Sequence, residues 1–256
     1  MLEDIRMVRK ILFISLIAVL VALISTPASA AKPITPKVLE AVFIHYEHPG
    51  KGKPPQPPEK PKVYDFYLLL GPKWDPSKYS EGVPYVINPA GAPLGAEMEV
   101  TAAFEAWDAT TSAELFNNSP TTDTNSWWGK LDGKNNISWQ VISDGGIIAG
   151  TWIWYQDNGD GTMSPGDEIL ETDMVFNASQ RWGIDPDGEG TTYKLKNMYD
   201  VRNIATHEAG HVVGLDDLYE GKYSEITMYG YSSKGETKKI SLRSGDINGT
   251  TELYGT

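Results

Sequence analysis

Residues 200–214, Asp-Val-Arg-Asn-Ile-Ala-Thr-His-Glu-Ala-Gly-His-Val-Val-Gly, constrain this chain more than any other stretch. Asp is a residue type that caps helix starts, and Gly closes helices where a left-handed residue is easy, so Asp200 and Gly214 bracket a helix. That helix sets His207 and His211 one turn apart on a single face, and both imidazoles can then reach one cation. Zinc takes nitrogen and oxygen donors in a roughly tetrahedral shell, and reactive zinc sites use three protein ligands and leave one position open. The third ligand must therefore come from chain that doubles back. In the series His207-Glu208-x-x-His211-x-x-Gly214-x-x-Asp217, Gly214 permits the turn and Asp217 arrives at the matching spacing, while Asp216 falls one residue short. Glu208 can reach a water at the open position without binding the metal itself. The plainer alternative is a helix end followed by two solvated acids.

Eleven residues past Asp217 stands Met228, within Glu-Ile-Thr-Met-Tyr-Gly-Tyr. A lone methionine ordinarily fills a core. After the metal pattern it makes the sequence resemble the metzincin clan of zinc proteases, in which a methionine turn lies beneath the metal. Lys73-Trp74, Ala103-Phe104-Glu105-Ala106-Trp107, and Asp246-Ile247-Asn248-Gly249 with Leu253-Tyr254-Gly255 are similar to segments of matrixin-like members. The likeness runs over about residues 63–256. Matrixins usually carry His as third ligand, whereas Asp217 resembles the snapalysin-like enzymes.

The resemblance implies zinc held by His207, His211 and Asp217, Glu208 as general base, and a secreted endopeptidase acting on protein or peptide substrates. It also implies that residues 147–155 are the sheet edge that pairs with an extended substrate, and that residues 229–235 wall the pocket for the side chain after the cut. The alternative is a non-catalytic, zinc-containing extracellular binding protein on a protease scaffold. Animal matrixins bind a second zinc through further histidines, and here only His45 and His48 lie outside the motif. His45-Tyr-Glu-His48 reads as a solvated strand, with a transient cap on the metal as the alternative. Tyr229 and Tyr231 read as packing aromatics, with hydrogen bonding to a tetrahedral oxyanion as the alternative.

Hydrophobic periodicity outlines the fold. Residues 63–70, 83–88, 136–142, 147–155 and 168–176 are strand-like, with Gly, Asn and Asp turns between the later ones. Residues 97–109 are helical, with Met98, Val100, Phe104 and Trp107 on or near one face. A short helix falls within residues 244–255. The expectation is an α+β domain: a twisted mixed sheet of about five strands, an active-site helix and a C-terminal helix. Residues 48–62 are dense in Pro, Gly and Lys and read as a linker, which divides the chain into a signal peptide at 1–30, an N-terminal extension with that linker at 31–62 and a catalytic domain at 63–256.

Residues 1–30 carry Arg6, Arg9 and Lys10, then an apolar run from Ile11 to Ile24, then Ala28-x-Ala30, the layout of a secretory signal peptide. Met7 begins an equally good signal. The apolar run is shorter than the ~20 residues that usually span a bilayer, so no stable span is expected after cleavage. The chain has no cysteine, which removes disulfides, thiolate chemistry and any cysteine cap on a metal. A net charge of -12 argues against nucleic acid as a partner. A monomer is expected. Asp157, Asp160 and Asp167 gather oxygen donors around a Gly-rich loop, where an ordinary acidic turn and a calcium site stand as equal readings. Mass spectrometry of exported material should find a chain starting at Ala31 or close by; a full-length cytoplasmic product would overturn the signal-peptide reading.

Overall fold

The computed structural model describes residues 37–49, 63–186, 188–189 and 195–256. The elements are β1 (Lys37–Glu47), β2 (Tyr85–Asn88), α1 (Ala96–Asp108), β3 (Thr121–Thr122), β4 (Asn135–Gln140) and β5 (Ile147–Asp157). They continue with β6 (Glu168–Asn177), β7 (Trp182–Gly183), β8 (Tyr199–Asp200), α2 (Val201–Val213), β9 (Tyr231–Ser232) and α3 (Ser244–Tyr254). Seven strands form one mixed sheet in the order β3-β2-β4-β6-β5-β1-β9, and β7 pairs with β8. The signal region lies outside the described residues. Among those described, no helix is long and apolar enough to cross a membrane.

The α+β class is the one read from sequence, but the strand inventory needs correction. Residues 63–70 alternate like a strand, yet they pair only through the bridge Leu69–Leu215. They run as an extended strap, with Leu70 N–H donating to Gly214 O and Val63 N–H to Lys222 O. The long strand that the sheet takes instead is β1, from ahead of the Pro-rich segment. It pairs antiparallel with β5 from Lys37↔Asp157 to Tyr46↔Ile147. Two-residue β3 and β9 at the margins bring the count to seven.

Helices α1 and α2 pack together. Val100, Phe104 and Trp107, with Ala96 and Ala103, form the buried face of α1. Met98 does not belong to it: at 72% exposure it lies on the solvent side, as the 100° step per residue from Val100 dictates. The Trp107 indole N–H donates to Thr206 O (2.9 Å), and that of Trp74 to Val212 O (2.9 Å), so both large rings bury with their polar atom satisfied.

The loop before β4 is fastened to two buried acids of β6. Asp173 accepts from the amides of Gly129 (2.6 Å), Lys130 (3.3 Å) and Asn136 (2.8 Å), and Glu171 from those of Asp132 and Gly133. Burial pushes the Asp173 carboxyl up to about 7 against these amide bonds, which act to lower it. Its folded value exceeds the unfolded one, so the folded state holds the proton longer. The resulting stability is fully present below about pH 4 and is lost as pH rises to 7. Asp173→Asn carries a pH-independent penalty for mismatched amides but lacks this slope. Between pH 5 and 8 the wild type should lose on the order of 2 kcal/mol relative to the variant in chemical denaturation. A constant difference would show that Asp173 ionises normally.

Candidate metal centre

Both ends of α2 are built as the sequence implies. The Asp200 side chain accepts from Asn203 N–H (2.7 Å), and Gly214 is left-handed at φ 115°. A Cβ on Gly214 would also stand 2.8 Å from Pro72 O, so glycine is needed for space as well as conformation. Past it, Asp216 N–H donates to Leu68 O (2.8 Å) and the chain returns over the helix. Asp217 Oδ1 thereby comes 3.3 Å from His207 Nε2 and 3.6 Å from His211 Nε2. The Asp216 carboxylate turns elsewhere and accepts from Asp217 N–H (2.9 Å).

The second nitrogen of each imidazole is already engaged. His207 Nδ1–H donates to Thr227 O (2.8 Å) and His211 Nδ1–H to Leu215 O (2.9 Å), which leaves each Nε2 as a lone-pair donor. His207 Nε2 and Asp217 Oδ1 are buried with no hydrogen-bond partner, although they are close. Buried polar atoms without partners are costly. Two nitrogens and one oxygen, all within 4.8 Å of one another, form the donor set that suits zinc, and a cation there would satisfy the orphaned atoms. Burial opposes ionisation of Asp217, yet the neighbouring imidazoles and the Tyr219 hydroxyl hold its carboxyl well below the usual range. Burial takes His207 the other way, down to about 4, and keeps it in the neutral form a metal ligand needs.

Glu208 is fully buried beside this set. Its Oε2 accepts from Thr151 Oγ1 (2.6 Å), and its Oε1 lies 3.2 Å from His45 Nδ1. Burial raises it to about 7, although the His211 imidazole and the Thr151 hydroxyl act to lower it. Lys239 is also fully buried: its Nζ donates to Tyr229 O and lies 3.4 Å from His207 Nδ1, and burial lowers it to about 8. Met228 sits under the helix, where a Cβ on Gly210 would meet its Sδ at 2.1 Å.

His45 corrects a sequence reading. It is 1% exposed rather than solvated, with its ring 3.9 Å from that of His207, while Phe43 stacks on His211 at 4.7 Å. Three neighbours of the site escaped sequence reasoning. Tyr219 donates from its hydroxyl to Asp217 Oδ2 (2.7 Å), and Thr151 and Lys239 act as described above. Tyr219 follows Asp217 by two positions and was findable; Thr151 and Lys239 have no spacing signature. Tyr229 and Tyr231 pack against each other with rings 5.8 Å apart.

The acidic loop is self-contained. Asp157 accepts from Gly161 N–H, Asp167 from Asn158 and Ser164 N–H, and Asp160 from Thr162 N–H and the Thr162 and Ser164 hydroxyls. Among the described residues these acids are in no group able to share one ion.

Residues 92–255 match the family described as Matrixin. The chain is 32% identical to Metalloendoproteinase 1-MMP of Arabidopsis thaliana over 110 residues, covering 39% of this chain and 28% of that protein. It is also 32% identical to Metalloendoproteinase 4-MMP of Arabidopsis thaliana over 95 residues, 37% of this chain and 24% of that one. Metalloendoproteinase 1 of Glycine max is 32% identical over 81 residues, 31% of this chain and 24% of its own. The matched part thus spans roughly a quarter of each relative's length. Zinc titration separates the two neighbouring acids: Asp217→Ala should weaken binding more than ~100-fold, Tyr219→Phe by ~10- to 100-fold, and Asp216→Ala least. Equal losses for Asp216→Ala and Asp217→Ala would overturn the ligand assignment.

Proposed function

Because the chain belongs to the matrixin family, we propose that it is a secreted zinc endopeptidase that hydrolyses peptide bonds with Glu208 as general base and His207, His211 and Asp217 as metal ligands. One observation carries the reading: three lone-pair atoms converge without hydrogens between them, and a buried carboxylate of raised proton affinity stands at their side. The leader-like residues 1–30 support export, and the relatives named metalloendoproteinases support the reaction class. Calcium has weaker support, since the Asp157–Asp167 loop satisfies its own acids.

When bound, zinc supplies Lewis-acid polarisation of the scissile carbonyl and lowers the pKa of water toward neutrality. An extended peptide added along β5 is held by main-chain hydrogen bonds, which makes recognition tolerant of sequence. Residues 229–235 wall the adjoining pocket. The Thr151 hydroxyl holds Glu208 Oε2, which leaves Oε1 as the working atom. Oε1 takes a proton from the attacking water and later gives it to the leaving nitrogen, so the carboxylate ends as it began. Proton affinity near neutrality suits both transfers.

The rival reading is a non-catalytic zinc-containing binding protein. It draws on a different observation: β1 lies along β5, and His45 meets Oε1 of Glu208. The test compares casein digestion by wild type and Glu208→Gln at equal zinc content, in chain cut within residues 50–62 so that β1 can be washed away. General-base assistance is worth ~100- to 10,000-fold, so the variant should fall by at least that lower figure. Equal rates would remove Glu208 from the chemistry. No digestion by either, with zinc bound, would favour the binding protein.

A further inference from the structure

We propose that Lys239 makes the site selective for substrates with an acidic side chain directly after the scissile bond, its buried ammonium pairing with the carboxylate of that Glu or Asp. The inference rests on the endopeptidase reading, which makes residues 229–235 the wall of the pocket for that side chain.

The fold treats Lys234, Lys238 and Lys239 differently. Lys234 Nζ lies 3.8 Å from a Glu47 oxygen, and Lys238 Nζ lies 3.6 Å from Glu225 and 3.9 Å from Glu236, so each of the two nearer the surface has an acid. Lys239 is fully buried, and among the described residues no carboxylate stands within ion-pair distance of it; Glu236, Asp217 and Glu208 act on it from farther away. An ammonium carries three donors. One goes to Tyr229 O, in the pocket wall. His207 Nδ1 lies 3.4 Å from Nζ but accepts nothing, because that nitrogen donates its own hydrogen to Thr227 O. A buried charge without a partner is costly, and the exclusion of water around it strengthens its attraction for an incoming acid.

A neighbouring group adds to the same character. Asn203 precedes His207 by four residues and shares its face of α2. Its Oδ1 accepts from Lys239 N–H (2.8 Å), while its Nδ2 is buried without a partner. Wall and helix thus meet at a place with donors to spare. The space against His207 is filled by the His45 ring, centroids 3.9 Å apart, and Lys239 is among the charges that ring feels. In the proposed function a substrate takes over that space. A Glu carboxylate brings only acceptors to these donors, a Gln amide brings a donor of its own, and a Leu leaves the ammonium unpaired. Sites built around a buried polar group reject the analogue that lacks its partner. The net charge of -12 repels acidic peptides at long range, so the preference arises from this contact and not from steering.

The test uses zinc-loaded chain cut within residues 50–62, as for casein digestion. Mass spectrometry of the digest reads the residue after each cut, and kcat/KM is measured on one peptide carrying Glu, Gln or Leu at that position. Binding of the same three peptides to Glu208→Gln, which leaves them whole, is read by fluorescence anisotropy. The proposal expects Glu and Asp to be enriched after the cuts, and the Glu peptide to exceed the Gln peptide at least ~10-fold in kcat/KM and in affinity. Lys239→Met, similar in length and without charge, should bring both ratios within ~3-fold of one. Asn203→Asp keeps an acceptor for Lys239 N–H and adds a negative charge beside it, so it should lower both ratios even where Lys239→Met fails to fold. Ratios unchanged in a folded variant would overturn the proposal. Digestion with no preference for an acid would overturn it too, and would leave the endopeptidase reading standing. If no peptide is cleaved while Glu208→Gln still favours the Glu peptide, the endopeptidase reading fails and the selectivity of the pocket stands.

Discussion

Two hydrogen bonds, His207 Nδ1–H to Thr227 O and His211 Nδ1–H to Leu215 O, govern how the rest of the site is built. They fix the rings of a helix buried along nearly its whole length, where an unsatisfied polar group is costly. Each acceptor in turn has its own support. Leu215 is placed by the Gly214 turn and its bridge to Leu69. Thr227 is placed by Asp246 of α3, whose carboxylate accepts from Thr227 (3.1 Å), Met228 (3.2 Å) and Arg243 (2.8 Å) N–H groups. The C-terminal helix therefore acts on His207 through one buried carboxylate and one carbonyl. Gly210 belongs to the same arrangement, because only a residue without Cβ lets Met228 rise against the helix between the two ligands.

What the sequence could convey follows from how local each signal is. The bounds of α2, the return at Gly214 and the meeting of Asp217 with the two histidines all lie within eighteen residues, 200–217, and each depends on a residue type at a fixed spacing. The partner of β1 is another matter. Alternation in residues 42–47 announces a strand, but its pairing lies more than a hundred positions away, and a Pro-rich stretch between suggests separation. Residues 63–70 show the converse error, an alternating pattern met by an extended strap packed on α2 and α3. Burial of Lys239 requires an acceptor at Tyr229 O that no spacing rule reveals.

Charge inside the site runs against the acidic surface. In a chain of net charge -12, the buried ammonium of Lys239 lies beside His207, at a proton affinity reduced by burial to about 8. Glu208 and His207 are shifted by the same dryness in opposite senses, as burial penalises whichever form is charged. On one side the two imidazoles are covered by Phe43, stacked on His211, and His45, against His207. The strand above also touches Glu208 directly, since His45 Nδ1 lies 3.2 Å from its Oε1.

The contact between β1 and Glu208 is made by an imidazole in a chain that has no cysteine. Disulfide reductants and thiol-alkylating reagents have no thiol to act on there. While β1 stays part of the chain, a strand that lifts off falls back at a rate independent of protein concentration, whereas the same strand on a separate molecule would return bimolecularly and be lost on dilution.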